Sequence, residues 1–199
     1  GNISGVGSLT KNGSSTLTLN GTNTYTGGTY VQAGTLKIGG LSALVQGSFY
    51  QVNTGATLDL NGHALQTGGI SGTGNVALGS QGLTVNTAAG SISEFDGKMD
   101  GTGELIKQGA GTLSLNTANS FSGGVSHKGG NINLGNEKGL GSGTLAWRQW
   151  QAPPDVNGTL DLRLLAGDAQ PHSGHGLASR LGNRRITFFA VFQPRAAGQ

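Results

Sequence analysis

The chain has 199 residues, of which 39 are glycine, 11% are charged, and the formal net charge is +3. Glycine without a triplet period excludes collagen, and regularly spaced apolar residues argue against disorder. The absence of cysteine excludes disulfides, thiolate metal sites and thiol catalysis. The sequence has no run of about 18 apolar residues and no basic-then-apolar leader, so we expect no transmembrane helix and place any export signal upstream.

Two stretches of the chain repeat without a gap at an offset of 96 residues. Residues 5–39 read "GVGSLTKNGSSTLTLNGTNTYTGGTYVQAGTLKIG", and residues 101–135 read "GTGELIKQGAGTLSLNTANSFSGGVSHKGGNINLG". Self-similarity of this length indicates a repeat architecture. We call these stretches the first copy and the second copy, and expect the full units to cover about 5–48 and 101–144.

Each copy contains short segments that alternate polar and apolar residues. Residues 16–19 and 35–38 of the first copy have this period of two, which predicts strands with both apolar residues on one face. Glycine and asparagine tolerate positive φ, so residues 20–21, 27–28 and 39–40 are predicted to be tight turns. No segment up to residue 145 has a helical period, so this part of the chain is predicted to be all β.

The apolar runs recur every 18 to 20 residues, as at "LTL" (17–19), "LKI" (36–38) and "LDL" (58–60). Antiparallel hairpins would suit the turns, but this recurrence favours coils stacked in register. We therefore predict a parallel β-helix (β-solenoid) over residues 1–145. It would have about seven coils and a length of about 35 Å, with leucines stacked on leucines and asparagines sharing ladders of hydrogen bonds.

Both copies resemble the autotransporter-associated β-strand repeat, also called the passenger-associated transport repeat. Its pattern "G-x-L-x-K-x-G-x-G-x-L-x-L-x-G-x-N-x-Y-x-G-G-T" is followed closely in each, and residues 70–85 resemble a linker between units. The second copy departs from the pattern at "HKGGNIN" (127–133), which weakens one strand but keeps the alternation. The resemblance implies an all-β, right-handed parallel β-helix in the passenger of a Gram-negative autotransporter.

What the resemblance implies about function is a structural and interaction role. The chain would be exported through the periplasm and outer membrane, and would be displayed at the cell surface or secreted. It would support translocation and folding of the passenger, and adhesion or self-association. Its partners would be the outer-membrane translocation machinery, its own β-barrel, and host or bacterial surface ligands. The alternative is the stalk or catalytic body of a secreted β-helical enzyme acting on polysaccharide, or of an autotransporter hydrolase whose catalytic domain lies elsewhere.

An acidic cluster is the first candidate for chemistry. Glu94, Asp96 and Asp100 lie with Lys98 in "SEFDGKMD". Paired carboxylates at a defined separation could hydrolyse glycosides or bind calcium, but the preferred interpretation is a solvated loop between repeat units. The calcium-binding repeat "GGxGxDx" does not occur.

The remaining candidates are single residues or weak motifs. His63 is predicted to be a turn residue, and His127 a half-buried replacement of an apolar strand residue. "GTGNVA" (72–77) imitates a dinucleotide fingerprint but has no βαβ unit around it. We predict no catalytic residue, no metal ligand, no cofactor, no enzymatic activity, no nucleic-acid partner and no stable membrane insertion of this segment.

The composition changes at about residue 146. All six lysines lie at or before Lys138, whereas all six arginines, all four prolines and both tryptophans lie beyond residue 146. Residues 146–199 are therefore predicted to be a separate tail, either frame-shifted or disordered, or a small basic domain. "NGTLDL" (157–162) could instead place one more repeat there. The tail also carries a possible metal pair, His172 and His175, and a basic cluster of Arg180, Arg184 and Arg185.

Overall fold

The computed structural model describes residues 1–147, 158–161, 186–187 and 191–194, with side chains described up to residue 145. Every regular element in these ranges is a β-strand, as predicted. The strands are β1 (Ser4–Gly5), β2 (Leu9–Lys11), β3 (Thr16–Leu19), β4 (Thr24–Tyr25), β5 (Thr29–Val31), β6 (Thr35–Ile38), β7 (Phe49–Val52), β8 (Thr57–Asp59), β9 (Leu65–Thr67), β10 (Gly69–Ser71), β11 (Asn75–Ala77), β12 (Leu83–Asn86), β13 (Ile92–Phe95), β14 (Lys98–Asp100), β15 (Leu105–Gln108), β16 (Thr112–Leu115), β17 (Val125–His127), β18 (Asn131–Leu134), β19 (Leu145–Trp147), β20 (Gly158–Asp161), β21 (Ile186–Thr187) and β22 (Val191–Pro194).

Up to residue 147 the strands stack in parallel into three columns. Column 1 contains β2, β5, β7, β10, β13, β16 and β18, with a bridge between Gly72 and Phe95 joining its two sheets. Column 2 contains β3, β6, β8, β11 and β14, and column 3 contains β9, β12, β15, β17 and β19. The short pair β1 and β4 forms a further parallel sheet. From β7 to β16 the chain visits columns 1, 2 and 3 in turn, and the predicted parallel β-solenoid of about seven turns is confirmed.

Neighbouring strands of column 2 are offset by 18 residues between β8 and β11 and by 23 between β11 and β14, close to the predicted 20. Leu17, Leu36 and Leu58 follow one another in this register. Leu36 and Leu58 are fully buried, as the predicted stacking of leucines requires. Leu17 is 39% exposed because β3 is the first strand of its column.

The predicted glycine corners form, but for a different physical reason. Gly21, Gly27 and Gly39 do not have positive φ; an added Cβ at each would collide with the neighbouring turn. At Gly27 that Cβ would lie 2.6 Å from the carbonyl oxygen of Gly7. The glycines are therefore required by the close approach of successive backbones, and our expectation of positive φ at these positions was wrong.

Most of the predicted tail lies outside the described residues. Its described strands β20 and β22 pair antiparallel with each other, and β21 pairs antiparallel with β18. A further coil of the solenoid would instead pair in parallel, so residues 158–161 do not extend the columns. The proposed metal pair at His172 and His175 and the arginine cluster fall on residues that the structure does not describe.

Candidate functional site

A buried lysine organises one corner of the first copy. Lys11 is 5% exposed, and its ammonium donates hydrogen bonds to the carbonyls of Asn12 at 2.8 Å, Gly13 at 2.7 Å and Ala33 at 3.0 Å. Asn12 and Gly13 belong to its own turn, whereas Ala33 lies on the next one. Because an ammonium has three donors, the group is fully satisfied without a carboxylate. We call this arrangement a lysine corner.

The second copy contains the same lysine corner. Lys107 is fully buried and donates to the carbonyls of Gln108 at 2.8 Å, Gly109 at 2.9 Å and Gly129 at 3.2 Å. Each of these acceptors lies 96 residues after its counterpart in the first copy. Burial lowers the pKa of Lys107 to about 8, because the charged form loses its hydration.

A buried asparagine joins three successive turns of the first copy. The side-chain oxygen of Asn23 accepts from the backbone N–H of Ile3 at 2.8 Å, and its Nδ2 donates to the carbonyl of Ala43 at 2.6 Å. These partners lie one turn before and one turn after the asparagine. We call this arrangement an asparagine bridge, since one side chain satisfies main-chain groups on both sides of its own turn.

The second asparagine bridge has the same geometry. Asn119 accepts from the N–H of Met99 at 2.7 Å and donates to the carbonyl of Gly139 at 2.7 Å. The predicted ladder between asparagines was therefore wrong for these residues, which bond to backbone rather than to each other. Main-chain partners exist on every turn, so one asparagine per copy suffices where a ladder would need one on each turn.

A buried hydroxyl contact of the first copy is absent from the second, and both of its members change together. In the first copy the hydroxyls of Tyr25 and Thr29 are 2.6 Å apart in a hydrogen bond. In the second copy Phe121 and Val125 take their places and are buried without hydroxyls. Phenylalanine can therefore fill the tyrosine position, as expected, because the polar partner is also replaced.

Equivalent strands of the two copies lie in different columns. The lysine strand is β2 of column 1 in the first copy and β15 of column 3 in the second. The next strand is β3 of column 2 in the first copy and β16 of column 1 in the second. The offset of 96 residues thus corresponds to four complete turns and two thirds of a fifth turn. Each strand of the second copy therefore lies one column away from its equivalent in the first copy.

The acidic cluster lies on the outer surface. Glu94, Asp96, Lys98 and Asp100 are all exposed, in agreement with the solvated interpretation. The loop prediction was wrong, because this segment forms β13, a corner and β14, with the intervening apolar side chains buried in the core. Nδ2 of Asn116 donates to Glu94 at 3.1 Å and to Asp96 at 2.6 Å, so an amide draws these two carboxylates together.

The two predicted histidines lie where expected. His63 follows a turn in which its N–H donates to the carbonyl of Leu60 at 2.8 Å. His127 is half-buried on β17, where it replaces Val31 of the first copy, and its Nε2 donates to the carbonyl of Gly130 at 2.9 Å. Burial and then the charge of Lys107 lower the pKa of His127, although the bond to Gly130 opposes this shift.

Other possible sites receive no support within the described part of the chain. There, no group of three or more histidine or acidic side chains could hold a metal ion. No helix in these ranges is long and apolar enough to cross a bilayer. Residues 72–77, which imitate a dinucleotide fingerprint, run into β11 of the solenoid rather than into a helix.

The sequence alignment of the two copies matched their lysines and asparagines, but it did not predict the structural role of either residue. A lysine in an alternating strand is normally assigned to the solvent face, and asparagine before a turn to a corner. The available signal was the exact recurrence of Lys11 and Asn23 at Lys107 and Asn119, together with the spacing of 20 residues between neighbouring turns.

Comparison with known proteins identifies these recurring elements. Residues 9–38 and 105–126 match the family described as the passenger-associated-transport-repeat. Both segments are therefore similar to the passenger-associated transport repeat, and we call them the transport repeats. Both lysines and both bridging asparagines lie within the matched ranges, whereas Gly129, an acceptor of Lys107, lies just beyond the second range.

Two curated proteins are similar to the chain. The adhesin BmaC autotransporter of Brucella suis biovar 1 (strain 1330) is 41% identical over 137 residues, which cover 65% of this chain and 4% of that protein. The uncharacterized lipoprotein YdeK of Escherichia coli (strain K12) is 33% identical over 183 residues, or 89% of this chain and 13% of that protein. The chain thus spans a small part of each relative. No solved structure matches it significantly.

Proposed function

We propose that this chain is a segment of an autotransporter passenger, exported to the surface of a Gram-negative bacterium or secreted from it. Residues 1–145 serve there as a scaffold for adhesion, and residues 146–199 form a separate segment. The presence of two transport repeats in one parallel solenoid carries this proposal. The similarity to an adhesin autotransporter over 65% of the chain supports the adhesive role.

The hydrogen bonds of the transport repeats suggest how they assist translocation. Asn23 bonds to the turn before it and the turn after it, and Lys11 bonds to its own turn and the next. A newly emerged turn would therefore find donors and acceptors already held in place by the turn beside it. Folding by addition of turns onto a stable neighbour is physically favourable in a solenoid. The translocation machinery and the passenger's own β-barrel would be the partners in this process.

We also propose that the solenoid is not an enzyme. Glu94 and Asp96 are solvent-exposed and share the amide donor of Asn116. A general acid with a raised pKa normally needs a buried or apolar setting. Turnover of a polysaccharide that is abolished by Asp96→Ala would contradict this part of the proposal.

The experiment that tests the proposal is surface display. The chain is placed between a signal peptide and an autotransporter β-barrel in a Gram-negative host, and external protease and cell adhesion are used as readouts. We expect a protease-accessible chain at the surface and increased adhesion of the cells to host-cell or abiotic surfaces. A matched chain lacking the second transport repeat, residues 101–144, should be exported less efficiently.

Two results would contradict the proposal. One is retention of the complete chain in the periplasm under conditions in which the barrel itself inserts. The other is display without any gain in adhesion over cells that carry the barrel alone, which would leave the export role and refute the adhesive one.

A further inference from the structure

Two aromatic side chains, Tyr30 and Phe49, lie on the outer face of column 1. A Cβ built on Gly28 would lie 3.1 Å from the hydroxyl oxygen of Tyr30, and one built on Gly69 would lie 3.2 Å from Cδ2 of Phe49. One edge or the tip of each ring therefore lies against a glycine, and a larger residue at either position would displace the ring. We call Tyr30, Phe49 and the two glycines beneath them the aromatic platform.

The platform is accessible and has an apolar neighbour. Phe49 is 40% exposed, and Ile92, at the start of β13 in the same column, is 69% exposed. The register places Gly69 beside Phe49 on the next turn, and β13 follows on the turn after that. Since neighbouring turns are about 4.8 Å apart, the exposed apolar surface extends along the solenoid axis. Clustered exposure of this kind commonly marks a binding surface.

The face around the platform carries no charge over four turns. The outward residues of β2, β5, β7 and β10 are all neutral: Thr10, Tyr30, Phe49, Gln51, Gly69 and Ser71. Lys11 points into the interior, and the first charged outward residue in this column is Glu94. These four turns offer no complementary group to a charged partner, and the nearest charge, Glu94, lies at their edge beside Ser71. A neutral partner rich in hydroxyls would find both apolar and hydrogen-bonding surface on them.

The transport repeat itself does not require the platform. Tyr30 corresponds to Ser126 in the second copy, although the lysine corners and asparagine bridges of the two copies are identical in their contacts. An aromatic residue at this position is thus not needed to build the turn. Packing of the turn therefore does not explain why an aromatic residue lies on the outer face at this position.

We propose that the aromatic platform binds a neutral linear polysaccharide, with sugar rings stacked on Tyr30 and Phe49. The axial C–H bonds of a pyranose ring are weakly positive and pack well on the negative face of an aromatic ring. Gln51, which donates to Asn53 at 3.1 Å, and Ser71 lie beside the rings and offer hydrogen bonds to sugar hydroxyls. A linear chain running along the solenoid axis crosses successive turns. This inference rests on the proposed adhesive function, for which it names the ligand class and the surface.

The test is affinity electrophoresis of the full 199-residue chain in gels containing dextran, mixed-linkage glucan or galactomannan, with anionic alginate as a comparison. At least one neutral polysaccharide should retard the chain, and alginate should not. Phe49→Ala should weaken that binding about tenfold, which corresponds to the loss of one good aromatic contact. Tyr30→Ser, which installs the residue of the second copy, should weaken it less.

The matched control is Leu41→Ala, because Leu41 is 82% exposed and lies outside the platform. Its binding should equal that of the unmodified chain, and circular dichroism should show that all variants fold. The inference is overturned if no neutral polysaccharide retards the chain, if Phe49→Ala and Leu41→Ala behave alike, or if Phe49 instead mediates association of two copies of the chain. Adhesion of displayed cells that is unaffected by Phe49→Ala would refute the platform alone and leave the proposed function intact.

Discussion

Lys11 and Lys107 hold equivalent sets of three carbonyl oxygens but lie on different faces of one solenoid. Their strands belong to column 1 and column 3 respectively. The contacts of a transport repeat are therefore set by its own turn and the adjacent turns, and do not depend on the face on which the repeat begins. Any outward side chain of successive copies would point in a different direction, so neighbouring copies can present different surfaces.

The asparagine bridge predicts a large effect of a small substitution. Asn119→Ala removes the partners of two main-chain groups, the N–H of Met99 and the carbonyl of Gly139. A buried unsatisfied group costs about 1–3 kcal/mol, so we expect the free energy of unfolding to fall by about 2–4 kcal/mol. Chemical denaturation of the full chain measures this. Asn12→Ala, at an exposed position, should change it by less than about 0.5 kcal/mol; equal effects would refute the bridge.

The lowered pKa of Lys107 predicts that the free energy of unfolding depends on pH in the alkaline range. Its pKa is about 8 in the folded chain and 10.5 ordinarily, so between these values the unfolded chain binds the proton more tightly. Stability contributed by this group therefore rises as pH increases from 8 towards 10.5. Measurements should stop near pH 10, because Tyr25 and Tyr50 have raised pKa values and oppose the trend beyond it.

The control for this pH dependence is Lys107→Met, which has no titrating group at the position. Denaturation midpoints of both proteins are compared between pH 7.5 and pH 10. The difference between them should change in favour of the unmodified chain as pH rises. A constant difference would show that Lys107 has an ordinary pKa, and a change of opposite sign would show that folding raises it.

The hydroxyl pair of the first copy can be tested with a double-mutant cycle. Tyr25→Phe or Thr29→Val alone removes the bond of 2.6 Å but leaves the remaining hydroxyl next to that of Tyr50, so each should cost about 1 kcal/mol. The double variant recreates the apolar pair of the second copy and should cost less than the sum of the two. In the second copy, Val125→Thr should likewise reduce the cost of Phe121→Tyr. Strictly additive effects would contradict the coupling.

The close approach of two turns at Gly103 predicts that a single added methyl group destabilises the chain. A Cβ at this position would lie 2.6 Å from both N and Cα of Gly82 on the preceding turn. Gly103→Ala must therefore separate two turns, and should destabilise the chain by about 3 kcal/mol or more. Gly55→Ala is the control, because Gly55 has φ +75° but no atom within 4 Å of the added Cβ. It should cost about 1–2 kcal/mol, and the reverse order would refute the explanation.

The sequence was sufficient to predict the parallel solenoid because its apolar period is short and repeated. Leu36 and Leu58 alternate with polar neighbours and recur at nearly the turn length, so their burial follows from the pattern alone. The resemblance of both copies to a known repeat is confirmed by the family match in residues 9–38 and 105–126.

What could not be predicted depends on contacts between turns. Nothing in the sequence shows that the ammonium of Lys107 reaches the carbonyl of Gly129, 22 residues away, because this requires the turn length at that corner. The rotation of the second copy likewise depends on small differences in turn length that accumulate, such as the 23 residues between Val76 and Met99. Periodicity also fails to predict strands in "SEFDGKMD", because its many polar residues make the segment look like a loop although Phe95 and Met99 are buried.

The different columns of the two copies can be tested directly with engineered cysteines, since the chain has none of its own. Ile92 and Thr112 are register partners in column 1, and Lys98 would be the partner of Thr112 if both copies used the same columns. Oxidation of the pair Ile92→Cys and Thr112→Cys should form a disulfide, because paired parallel residues lie within the range that a disulfide spans. The pair Lys98→Cys and Thr112→Cys should remain reduced. Cross-linking of the second pair and not the first would contradict the rotation of the second copy.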